Sequence, residues 1–254
     1  MKFVGTLIYI LILFPLFAWG NGARIEELRA LRTDRPSLMN SYLELMEKGK
    51  LIHQTDNRLK KRKLLKKNGG LCSFTAQVNA IQAVSQYYGV SKSKFLKRPD
   101  YFMYEIIEEA RSYMIEDPRY EGAYLDDIQK YTSSVLEYHG LDGIISLNYT
   151  DDPDTIDPDR LKNYYWKIRI LGMVNEKEDE GHTVVALKID PKKKIIYTSD
   201  PNYPNKIVKT PYRKTKKGLA IYLSQDFPGF QPAIVDEMIE VNVLRDEEIQ
   251  STLE

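Results

Sequence analysis

The hydrophobic period of this chain changes once along its length, and that change limits the architectures open to it. From Ser73 to Tyr88 the apolar residues Phe74, Val78, Ile81, Val84 and Tyr88 recur at steps of 4, 3, 3 and 4, the stripe of an amphipathic helix that Gly89 stops. Residues 23 to 50 carry a similar pattern, broken at Pro36, and Tyr101 to Met114 and Asp126 to His139 give two more helices. Beyond residue 144 the period shortens. Strands are predicted over 144–149, 183–189, 194–198, 219–223 and 238–244, and Asp190-Pro191-Lys192-Lys193 joins the second and third into a hairpin. Helices followed by an antiparallel sheet read as an α+β fold in one domain.

The ends of the chain add an organisation. Residues 3 to 19 are almost wholly apolar, follow Lys2, and run into Ala18-Trp19-Gly20, the small-x-small pattern of a signal peptidase site. Residues 1–20 therefore read as a secretory signal peptide and the protein as exported, periplasmic or secreted. An uncleaved membrane anchor is the alternative, because the run is nearly long enough to span. Residues 21–67 form a helical arm and a basic connector, Arg58 to Lys67, readable as a packed arm or as a propeptide or lid. Residues 68–254 form the catalytic domain.

Composition excludes several functions. The 254 residues carry a formal net charge of +1, which gives no general attraction to nucleic acid or to a membrane surface. The basic run has no interleaved aromatics of the kind that stack on bases, and reads as a solvated connector. The acidic loop from Asp151 to Asp159 lacks the ligand spacing of a calcium loop. One cysteine and three histidines supply no close ligand pair, so no metal is expected, and without a phosphate-binding glycine loop no cofactor is expected either. A single cysteine also excludes an internal disulfide.

That cysteine is Cys72, in Gly69-Gly70-Leu71-Cys72-Ser73-Phe74-Thr75, at the first turn of a predicted helix. Orphan N–H groups and the helix dipole there favour the thiolate. His182 opens the apolar strand Thr183-Val184-Val185-Ala186-Leu187, and Asp200 lies 18 residues later at the exit of its hairpin partner. Antiparallel pairing sets the start of one strand beside the end of the next, so Asp200 falls next to His182 and can hold its tautomer while the imidazole takes the thiol proton. Taken singly, Cys72 has an explanation as a small core residue, His182 as a strand-end residue and Asp200-Pro201 as a turn. The joint arrangement favours a catalytic triad. His53 and His139 read as structural.

The order of cysteine on a helix, His-x-Val-Val on a strand and Asp-Pro after the next strand resembles the papain-like cysteine peptidase superfamily. Within it, GHTVVALKIDPKKKIIYTSDP is most similar to the bacteriocin-processing (C39-like) peptidase group, over roughly residues 68 to 205. The resemblance implies a papain-like fold, with Cys72 as nucleophile, His182 as general base and acid, and Asp200 as the orienting residue. It also implies a peptide or protein substrate cleaved through a thioester without a cofactor. The glutamine that such enzymes place five or six residues before the cysteine is replaced by Lys66 and Lys67, leaving Asn68 as the nearest amide for the oxyanion. A transglutaminase-like acyltransferase and a catalytically inactive peptide-binding module are the alternative functions.

Overall fold

The computed structural model describes residues 37–65, 70–89, 95–113, 123–157, 167–175, 180–203, 206–222 and 232–243. The expected signal segment, the first part of the arm, and Lys66 to Gly69, Asn68 among them, lie outside these residues. Among the described residues five helices come first: α1 (Leu38–Glu47), α2 (Asn57–Lys61), α3 (Cys72–Tyr87), α4 (Pro99–Tyr113) and α5 (Leu125–Tyr138). Seven strands follow: β1 (Ile145–Thr150), β2 (Lys167–Asn175), β3 (Glu180–Asp190), β4 (Ile195–Ser199), β5 (Ile207–Thr215), β6 (Gly218–Ile221) and β7 (Ala233–Val243).

The strands do not form the open sheet expected of a papain-like α+β fold. All pairings are antiparallel, in the order β1-β7-β2-β3-β4-β5-β6, and β6 also pairs with β7. The ring β7-β2-β3-β4-β5-β6 is therefore a closed six-stranded barrel with a few helices around it, which overturns the papain-like expectation. Closure depends on β7. The edge of this long strand that faces away from β2 pairs with β6 through Ala233–Val235 and with β1 through Met238–Val243. Between these two stretches the register to β2 slips, with Gly172 opposite Glu237 and Met173 opposite Val235. Such a bulge bends a strand and raises its twist.

The interior is filled from alternate positions, as a barrel requires. Leu171 and Met173 of β2, Val184 and Ala186 of β3, Ile196 of β4 and Val235 of β7 belong to one buried cluster. Pro211 stands in β5 where the strand is handed over: Ile207–Pro211 pair with β4, and Tyr212–Thr215 with β6. The N–H that proline lacks is thus not missed from the middle of a ladder.

Helix α3 packs between α1, α4 and the outer side of the barrel, against β2, β3 and β7, and every residue from Ser73 to Ser85 is buried. Part of the arm also belongs to this core. Leu38, Leu43, Leu59 and Leu64 are 3% exposed or less. Between α1 and α2 the chain crosses α3, where the Asn79 amide accepts from Ile52 N–H (2.9 Å) and donates to Ile52 C=O (2.8 Å). Asn79→Ala is expected to leave both groups of the fully buried Ile52 unpaired, at about 2–4 kcal/mol of unfolding free energy. Denaturant titration reads this directly, and a loss below about 1 kcal/mol would show that the crossing is held by packing alone.

Candidate active site

Cys72 is the first residue of α3. Leu71, which precedes it, offers no side-chain acceptor to the helix start, so the first-turn N–H groups remain available to an anion. The thiol is half-buried. It is hydrogen-bonded by the His182 imidazole and by the Ser73 N–H, and lies 3.9 Å from the Ser73 hydroxyl.

His182 is the third residue of β3, opposite Met173 of β2. Strand alternation puts it on the same side as Val184 and Ala186, the lumen side, at one end of the barrel. Its neighbour Thr183 turns the other way and meets α3, where Ser73 and Thr183 share a hydroxyl–hydroxyl bond of 2.9 Å. The residues following Cys72 and His182 are thus bonded to each other, and this fixes the thiol against the imidazole.

Asp200 follows β4 directly. Its Oδ2 lies 2.8 Å from His182 Nε2, and its Oδ1 accepts the Asn202 N–H at 2.7 Å. His182 and Asp200 are 6% and 3% exposed, so the pair is held away from water. The turn beyond it is braced by the arm: the Gln54 N–H donates to Pro201 C=O at 3.2 Å, and the Gln54 amide donates to Asn202 Oδ1. Tyr42 of α1 donates to Ser199 at 2.9 Å, and burial keeps its phenol neutral far above the usual value.

The structure therefore brings Cys72, His182 and Asp200 together in that order. Asn68 falls outside the described residues. Ser73, Thr183, Asn202 and Gln54 were not singled out in the sequence, where only the place of Ser73 and Thr183 beside the reactive pair could have marked them. His139 stacks on Phe95 with ring centroids 3.7 Å apart and meets Glu105 at 2.5 Å, a structural role. Among the described residues no cluster of three histidines, cysteines or carboxylates could hold a metal ion, and no helix is long and apolar enough to cross a membrane.

The electrostatics favour an ion pair. Burial pushes the Cys72 thiol up, but the hydrogen bond and positive charge of His182, with the Ser73 contacts, outweigh it and hold the thiol below its ordinary 9.0. Burial pulls His182 down, yet the hydrogen bonds to Asp200 and Cys72 and their negative charge raise it to about 10. Nε2 lies against Asp200, so a proton exchanged with the thiol is carried on Nδ1.

No protein-family model matches the chain, and no characterised protein is similar to it in sequence.

The signs of the two shifts define a window. His182 is stabilised in its charged form, so its contribution is fully present below its ordinary 6.5 and lost as pH rises through about 10. Cys72 is stabilised as thiolate, so its contribution is lost as pH falls through its lowered value. The rate of iodoacetamide alkylation against pH is expected to rise well below 9.0 in the native chain and to move back toward that value in His182→Ala. A native profile that rises only near 9.0 would mean that the thiol has no partner in solution.

Proposed function

We propose that the protein is a thiol hydrolase, a cysteine peptidase or amidase that acts on peptide or other amide bonds through a thioester. The observation that carries this reading is a half-buried thiol at a helix start without a side-chain cap, beside an imidazole that favours its charged form and that a buried carboxylate holds from its far side.

In the first half-reaction the Cys72 sulfur bonds to the amide carbon, and the oxyanion is met by N–H groups of the α3 start. His182 gives its Nδ1 proton to the departing amine as the C–N bond breaks. In the second half-reaction the neutral imidazole takes a proton from water. The resulting hydroxide equivalent attacks the thioester carbon, the C–S bond breaks, and Cys72 leaves as the thiolate beside the recharged imidazole while the acid product is released. Asp200 transfers no proton. By accepting from Nε2–H it keeps Nδ1 as the basic nitrogen and supports the charged ring.

Cys72→Ala and His182→Ala are expected to remove nearly all turnover, and the double substitution to add little to either. Asp200→Asn keeps an oxygen for the Asn202 N–H but turns an NH2 group toward Nε2. This favours the tautomer protonated on Nδ1, and turnover is expected to fall by about 10²–10⁴-fold. Acylation by a chromogenic amide or ester, measured in a single turnover on variants with matched circular dichroism, decides it. Normal acylation by His182→Ala would end the reading, and transfer to an added amine with little hydrolysis would change it to an acyltransferase.

A further inference from the structure

We infer that a pocket at the far end of α3 from the thiol binds the free carboxylate end of a peptide. Gln82 lines it ten residues beyond Cys72, about 15 Å along the helix axis, so it is separate from the triad and does not depend on the acyl-transfer reading. Its volume is about 400 Å³, within the range of pockets that enclose small ligands.

The lining is complementary to one chemistry. Lys50, Arg58 and Lys97 contribute to it, and among the described residues no acidic one does. Carboxylates on the neighbouring segments are already engaged: Asp56 with Arg58, Glu44 with Lys48 and Gln86, and Asp100 with Arg62. Arg58 is held in place by Asp56 at 2.7 Å and 3.0 Å and by Leu51 C=O at 3.0 Å through Nε and Nη2, which leaves Nη1 out of these bonds. Both lysines are exposed and turn solvated charge to the mouth.

Deeper in the pocket, Gln82 is 7% exposed and its Oε1 has no hydrogen-bond partner, while its Nε2 donates to Leu96 C=O at 3.1 Å. A buried acceptor in this state calls for a donor. Leu45 and Leu96 supply apolar wall. A peptide's last residue meets all three demands: the carboxylate for the cations, its own amide N–H for Gln82 Oε1, and an apolar side chain for the leucines. Inorganic phosphate answers only the first.

The test is an NMR titration of the full chain with acetyl-Gly-Leu bearing a free carboxylate, with its C-terminal amide, and with inorganic phosphate. The free acid is expected to perturb α3 resonances around Gln82 and to bind at least tenfold more tightly than the amide or phosphate, as loss of charge-assisted hydrogen bonds implies. Lys50→Gln combined with Lys97→Gln, both at exposed positions, is expected to weaken the acid about tenfold without changing the melting temperature. Gln82→Leu is expected to remove the preference for a peptide over phosphate. Chain alkylated at Cys72 is expected to bind as well as the native protein. Equal binding of acid and amide, phosphate binding as tight as the peptide, no binding at millimolar concentration, or binding abolished by Cys72 alkylation would each overturn the assignment.

Discussion

The hydroxyl pair of Ser73 and Thr183, 2.9 Å apart, is the contact on which the reactive geometry depends. It joins helix to barrel one residue beyond the thiol and one beyond the imidazole. A strand turns successive side chains to opposite faces. Thr183 can therefore anchor the helix outside while His182 faces the barrel's end, and the helix start brings Cys72 to it. A thiol placed by loop flexibility alone would lack this definition. The charges then follow from position: unshared N–H groups and a cation favour the thiolate, and a carboxylate behind the imidazole keeps it charged.

A second layer fixes the carboxylate. Asp200 could rotate freely at the end of a short strand, but the Asn202 N–H holds one oxygen. The chain around Gln54 then ties that turn to the crossing that Asn79 secures on α3. Residues 51–56 thus link the Asp200 turn to the helix of the thiol. Hydrogen bonds of this kind in a buried network leave the carboxylate little freedom. Leu38, Leu43, Leu59 and Leu64 of the arm accordingly lie in the core of the domain.

What could be read from the sequence was local. The stripe from Phe74 to Tyr88 gave α3 within a residue or two, because its spacing is set by the helix itself. The turn Asp190–Lys193 gave the β3–β4 hairpin, and with it the closeness of His182 and Asp200. The barrel was not legible. Its closure rests on β7 pairing with two strands on one edge, and on β2 and β5. The first reads as an apolar run without strict alternation, and the second contains Pro211, a residue that argues against a strand. Ring closure is a long-range event, and no window of sequence records it. The burial of His182 and Asp200 was not legible for the same reason, since it depends on the barrel whose end they occupy.

The thiolate–imidazolium pair is the central claim, and the ring nitrogens of His182 report on it most directly. In protein labelled with nitrogen-15 histidine, both ring nitrogens of His182 are expected to remain protonated at neutral pH, with the ring losing its proton only near about 10. In Cys72→Ala that value is expected to fall, because the contact and charge of the thiolate are gone. A His182 ring that is neutral at pH 7, or that titrates near its ordinary 6.5 in both proteins, would contradict the ion pair and the catalytic reading built on it.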